Sequence, residues 1–289
     1  VKWPGRLLLT VLLGWTVAGG AAPGKSRFTF DSAGLPLDVF TYRPADYAGG
    51  PLLIVMHGLG RNADGYRDYA VPLADRFGLF IAAPLFDTNR FPTEAYQRGN
   101  VLVKGQVQPK STWTYSRVAD LARELRQRDG RAGQPWYLIG HSAGGQFLMR
   151  LAAFLPGDAT RIVAANPGSL LFPTRDLPFP YGFGGLPEEL GGDAAIRRYL
   201  AAPLTLLLGT ADIEKKDLDL TATAMKQGAT RLERGRNCFA LAREVARKNG
   251  WPFNWRLVEV PGVGHSGEKM FAAPQAAGAL FGGSPPGLR

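Results

Sequence analysis

The 289-residue chain has one cysteine, three histidines and four methionines. A single thiol forms no internal disulfide, even in an oxidising compartment. Cys238 lies beside Phe239, Ala240 and Leu241 at helical spacing and reads as a core group. With no paired cysteines and no H-E-x-x-H run, the familiar zinc patterns are missing and no metal is expected. There is no P-loop lysine pattern, so no cofactor is expected. No nucleic-acid motif accompanies the basic residues, so no nucleic-acid partner is expected. No motif addresses oligomeric state.

One long apolar run is present, and it is N-terminal. Lys2 and Arg6 precede an almost unbroken apolar stretch over 7–18, and Gly19, Gly20, Ala21 and Ala22 follow. This pattern predicts a secretory signal peptide over 1–22, cleaved after Ala22, and a secreted or periplasmic protein. The run is short for a bilayer span of about 20 residues. No cysteine follows for lipid attachment, so no stable membrane anchor is expected after cleavage. An uncleaved N-terminal anchor is the alternative. The remaining 23–289 read as one domain, long enough to bury a core without staples.

The formal charge is +10, from 34 basic and 24 acidic residues. Such a balance suits anionic surfaces or substrates. The positive residues are scattered, apart from Arg231, Arg234, Arg236, Arg243, Arg247 and Lys248 in one amphipathic stretch. These predict a solvated basic helix face.

Hydrophobic patterning predicts a hairpin at 27–30 and 38–43. Short buried strands are expected at 52–56, 79–83, 136–140, 161–165, 204–208 and 255–260. Helices are expected at 62–77, 116–128, 144–154, 232–248 and 268–280. Alternating strands and helices imply an α/β fold with a mostly parallel sheet. Two loop insertions interrupt it, around 87–111 (with a small hairpin at 100–107) and around 170–200.

The chemistry is carried by Gly140-His141-Ser142-Ala143-Gly144, a G-x-S-x-G turn between a strand and a helix. The tight turn strains the serine backbone, and its glycines leave room for neighbouring elements. Ser142 is then thrust out at the carboxyl end of the sheet, where such sheets bind ligands. The helix N-terminus and the Ala143 N–H favour an oxyanion. His57-Gly58-Leu59-Gly60 ends an earlier strand, and the Leu59 N–H is the second expected donor. His57 is read as shaping that loop, and His141 as turned away beside the serine. His265 remains as the base, on a glycine-rich loop after the last strand. Asp212 is the first carboxylate after the strand at 204–208 and is the favoured acid, with Glu214, Asp217 and Asp219 as competitors.

With these residues placed, the chain from about 27 to 281 resembles the α/β-hydrolase superfamily. Within it, the His57-Gly58 loop, the Gly-His-Ser-Ala-Gly-Gly elbow, the Gly-Thr-Ala-Asp loop and the Gly-His-Ser segment are similar to secreted polyhydroxybutyrate-depolymerase-like and feruloyl-esterase-like hydrolases. The resemblance implies a carboxylic-ester hydrolase with an acyl-enzyme on Ser142 and a small or polymeric ester as substrate. A serine peptidase or amidase on the same fold, and an inactive binding protein, are the alternatives. Trp113, Tyr115, Asn166 and Tyr181 are candidate substrate-binding residues. Packing of the aromatics onto the body is the competing reading.

Overall fold

The computed structural model describes residues 22–32 and 34–282. The leader expected over 1–22 therefore lies, apart from Ala22, outside the described residues. In chain order the elements are β1 (Gly24–Ser32), β2 (Leu35–Arg43), β3 (Leu52–Met56), α1 (Ala63–Phe77), β4 (Phe80–Pro84) and α2 (Thr93–Tyr96). Next come β5 (Leu102–Val103), β6 (Gln106–Val107), α3 (Thr114–Arg128), β7 (Trp136–His141), α4 (Ala143–Phe154) and β8 (Arg161–Ala165). The chain continues through α5 (Glu188–Gly191), α6 (Asp193–Leu200), β9 (Leu204–Gly209), α7 (Ala222–Met225) and α8 (Arg231–Asn249). It closes with β10 (Arg256–Val260), α9 (Gly267–Ala272) and α10 (Pro274–Phe281).

Eight strands form one sheet in the order β1-β2-β4-β3-β7-β8-β9-β10. β2 runs antiparallel to β1 and β4, and every neighbouring pair from β4 to β10 is parallel. The inner strands read as unbroken apolar runs because both faces of the sheet are covered. Leu52, Ile54 and Met56 of β3 enter one core with α3, α4, α6 and α8. Leu53 and Val55 enter the other, with α1, α9 and α10. β7 divides in the same way, Trp136 and Leu138 against Tyr137 and Ile139. The result is an α/β sandwich whose strand ends converge on one functional edge.

The predicted hairpin, strands and main helices are present. The final expected helix over 268–280 is two helices. Pro274 opens the second, and Ala273 before it is extended (φ −66°, ψ 139°), as a residue preceding proline favours. Neither insertion is structureless. Phe91, Tyr96 and Val101 of the first, and Phe172, Leu177, Phe183, Leu190, Ile196 and Tyr199 of the second, are buried in the main core. Their apolar residues follow no single period because they belong to short helices and turns.

The solvated basic face holds for four of its six residues. Arg236, Arg243, Arg247 and Lys248 are outside the core, but Arg231 and Arg234 are buried, at 1% and 0% exposure. Arg234 donates to the carbonyls of Gly228, Gly168 and Asp219. α8 thus uses its first turn as an internal clamp. Among the described residues no helix is long and apolar enough to cross a membrane.

Two glycines separate strain from crowding. Gly78 caps α1 at φ +62° with open space where a Cβ would stand, so Gly78→Ala should cost about 1 kcal/mol from backbone strain alone. Gly145 lets α4 approach β8, and a Cβ there would meet the Ala165 carbonyl oxygen at 2.7 Å. Overpacking predicts a larger loss, about 1–3 kcal/mol, for Gly145→Ala in equilibrium denaturation. Equal losses for the two variants would refute the requirement for close helix–strand approach.

Candidate active site

The elbow is built by close packing. Ser142 has φ +57° and ψ −114°, a conformation side chains rarely adopt. Its N–H donates to the Ala165 carbonyl at 3.0 Å, which pins the turn to β8. A Cβ on Gly140 would meet the Gly144 carbonyl carbon at 2.8 Å, and one on Gly144 would meet the Met56 carbonyl oxygen at 2.4 Å. The third glycine, Gly145, plays the same part against β8 and lies just beyond the five-residue motif.

The loop after β3 is held from below. His57 is fully buried, and its Nε2 accepts from the Phe86 N–H at 3.0 Å while Nδ1 lies 3.0 Å from the Gly58 carbonyl. Burial pushes its pKa down to about 4, so it stays neutral near neutral pH. Tyr96 stacks on its ring at 4.6 Å and donates to its carbonyl at 2.7 Å. Arg61, at φ +55°, donates to the carbonyls of Phe86 and Phe91 and lies 4.2 Å over the Tyr96 ring. Arg61 thus joins the loop to the first insertion, a role that no sequence motif signalled. Leu59, at the loop tip, is 51% exposed and shares a cleft of about 360 Å³ with Ser142 and His265. Ala143 is the first residue of α4, where an N–H has no partner inside the helix.

The three polar side chains from separate loops meet. His265 Nε2 lies 3.0 Å from Ser142 Oγ, and His265 Nδ1 lies 2.8 Å from Asp212 Oδ2. Asp212 is fully buried, whereas Glu214 and Asp217 are exposed. Asp219 is turned to Tyr181 and the Thr221 N–H. Of the competing carboxylates, only Asp212 has a hydrogen bond to the histidine.

His141 differs from expectation. It does not turn away from the site: its ring lies 4.5 Å from that of His265. Tyr66 Oη is 3.1 Å from its Nδ1, and burial holds its pKa well below the ordinary value. His265 is therefore flanked by a neutral ring. The glycines at 262, 264 and 267 fall at G-x-G-x-x-G spacing, the dinucleotide fingerprint. They follow β10, an edge strand with no βαβ unit after it, and Gly267 packs on Tyr66.

The four candidate substrate contacts separate. Trp113 and Tyr115 are in the core, at 1% and 0% exposure. Trp113 Nε1 donates to the Gln108 carbonyl, and Tyr115 packs edge-on to Phe147. They stabilise the start of α3 and do not face the cleft. Their place beside a helix start gave no sign of which way they point. Asn166 is also buried, at φ +42°: its Oδ1 accepts from the Gly209 N–H and its Nδ2 donates to the Gly264 carbonyl. It braces the loops that carry Asp212 and His265 from within. Tyr181 is half-buried and borders a second cleft, with Arg98, Gln146, Arg150 and Asp217. Asp217 also borders the Ser142 cleft, so the two hollows adjoin.

Cys238 is buried, its thiol pKa raised by burial, and it takes no part in the site. Among the described residues no group of acidic, histidine and cysteine side chains is arranged to hold a metal.

No family model and no curated protein matches the chain. Solved structures do. Poly(aspartic acid) hydrolase-1 from Sphingomonas sp. KT-1 is 35% identical, covering 86% of this chain and 96% of that one, with a TM-score of 0.81. LpqC, a poly(3-hydroxybutyrate) depolymerase from Bordetella parapertussis, is also 35% identical, covering 91% and 92%, with a TM-score of 0.83. An S-formylglutathione hydrolase from Agrobacterium tumefaciens shares the fold at 17% identity, over 87% and 92%, with a TM-score of 0.52. The chain belongs to the α/β-hydrolase superfamily, in the group of serine hydrolases that includes these poly(aspartic acid) hydrolase and poly(3-hydroxybutyrate) depolymerase relatives.

Proposed function

We propose that this protein is a serine hydrolase of carboxylic esters. The observation that carries the reading is the continuous relay from Ser142 Oγ through His265 to Asp212, at 3.0 and 2.8 Å. His265 Nε2 takes the Ser142 proton as Oγ attacks the acyl carbon. Asp212 holds the imidazole in the required tautomer and stabilises the imidazolium. The N–H groups of Ala143 and Leu59 donate to the oxyanion. The alcohol leaves with the proton from His265, and water then releases the acid by the same route.

A polymeric ester is the favoured substrate. Both relatives at 35% identity are named for polymers. The exposed apolar side chains of Leu59, Ile213 and Leu220 lie on the two loops beside the site, and they suit contact with an extended apolar chain. The competing reading is amide hydrolysis. Poly(aspartic acid) is a polyamide, and a net positive charge would favour a polyanion. Export through cleavage after Ala22 belongs to the same proposal and rests on the leader pattern. N-terminal sequencing of exported protein tests it, and retention of residues 1–22 would overturn it.

Ser142→Ala should abolish turnover without changing the unfolding midpoint. Asp212→Asn should lower kcat by a factor on the order of 10⁴. Asp217→Asn should stay near wild type. A dead Asp217→Asn beside an active Asp212→Asn would reverse the assignment of the acid.

A panel of p-nitrophenyl esters, a poly(3-hydroxybutyrate) film and soluble poly(aspartic acid) decides the bond. Hydrolysis of poly(aspartic acid) with inert esters would replace the ester reading by the amide one. Trp113→Phe removes a part-buried hydrogen bond and some buried ring volume and should cost about 1–3 kcal/mol of stability with KM unchanged. A raised KM at full stability would return Trp113 to the substrate site.

A further inference from the structure

We infer that Arg231 is a positioning residue for the acid, setting the charge balance of the Asp212–His265 pair. The inference rests on the proposed roles of those two residues. Arg231 opens α8, is 1% exposed, and its Nη1 lies 3.5 Å from Asp212 Oδ1. Asp212 is fully buried, and Oδ1 has no hydrogen-bond partner. Its other oxygen takes the His265 Nδ1–H. A buried carboxylate with one bare oxygen is costly unless a cation stands near, and Arg231 is that cation.

The same guanidinium shapes the loop that carries the acid. Nη1 donates to the Glu214 carbonyl at 3.1 Å and Nη2 donates to the Lys216 carbonyl. The next residue of α8 helps: the Leu232 N–H donates to the Asp212 carbonyl at 3.4 Å. One side chain therefore stands against the acid's second oxygen and fixes the path of the chain beyond it.

The electrostatic consequence has a definite sign. The acid and base share one exchangeable proton across the contact of His265 Nδ1 with Asp212 Oδ2. Without that proton the pair carries −1, and with it the pair is neutral. A cation 3.5 Å away favours the charged, unprotonated form, which is the form able to take the Ser142 proton. Removing the cation must make the pair bind its proton more readily. His265 also faces the neutral ring of His141, and Asp217 and Glu268 border its cleft. Glu214 and Lys216 line the adjoining hollow with Arg231. Substitution at 231 leaves the charge of each of these groups unchanged and releases only the backbone carbonyls of Glu214 and Lys216.

The test compares Arg231→Met, which loses charge and hydrogen bonds, with Arg231→Lys, which keeps charge but loses the two-pronged grip. The readouts are the pH profiles of kcat/KM on a soluble ester and of the rate of fluorophosphonate labelling at Ser142. Arg231→Met should move the acidic limb of both profiles to higher pH by about one unit or more. Arg231→Lys should leave the limb in place and lower the plateau roughly tenfold through misplacement of the acid. Should Arg231→Met not fold, Arg231→Gln gives the same contrast in charge.

A neutral variant whose limb coincides with wild type overturns the inference. So does an Arg231→Lys limb displaced by a unit, which needs no neutral variant to interpret. A merely structural arginine would lower stability or the plateau without moving the limb. Loss of the proposed function itself would look different: wild type would not label, and Ser142→Ala would behave like wild type.

Discussion

The whole site depends on one packing constraint, the contact of α4 with the ends of β3, β7 and β8. The N–H of Ser142 is bonded to β8, and Gly140, Gly144 and Gly145 let the helix start almost touch three strands. This contact holds the serine at φ +57°. Backbone strain of this kind costs about 1–3 kcal/mol and persists only where the surroundings over-determine it. Here the surroundings are two cores, one on each sheet face, and the elbow stands where both end. The energy of the Ser142 posture is therefore supplied by apolar burial in the two cores.

The other two members of the relay come from loops, which have no such core of their own. Each loop is tied down by polar groups buried inside the molecule. Asn166 links β8 to the Gly209 and Gly264 ends of the acid and base loops. Arg231 and Arg234 of α8 hold five carbonyls along the neighbouring segments, at Glu214, Lys216, Gly228, Gly168 and Asp219. Arginine suits this work because its planar fork reaches several acceptors at once and stays charged. Part of the chain's positive excess is thus internal scaffolding and is not available to attract anions.

This explains what was legible in the sequence and what was not. Strand and helix positions followed from apolar periodicity. Ser142, His265 and Asp212, which the structure brings within hydrogen-bonding distance, were marked by glycine-flanked motifs at strand ends, because the geometry of those turns demands particular residues. The direction of a side chain on a loop or a helix start leaves no such mark. Trp113, Tyr115 and Asn166 have the composition of a binding site, but they are buried. Arg231 and Arg234 have the composition of a solvated face, yet tertiary contacts turn them inward. A period of 3.6 residues locates a helix face only where a helix is amphipathic, and the first turn of α8 is polar on the side that faces the core.

The histidines show how burial divides one chemical group among three tasks. His57 gives one ring nitrogen to its own loop and the other to the Phe86 N–H beyond β4, and desolvation keeps it uncharged down to about pH 4. His141 lies against the base but is also held neutral by burial, so it adds shape beside His265 without adding repulsion. His265 differs in keeping a quarter of its side chain exposed, with a buried carboxylate on one nitrogen and the serine on the other. A proton can reach and leave it, and its partners give that proton a direction. The two closed environments matter as much as the open one. Had His141 carried charge, it would have opposed the imidazolium that the proposed reaction must form.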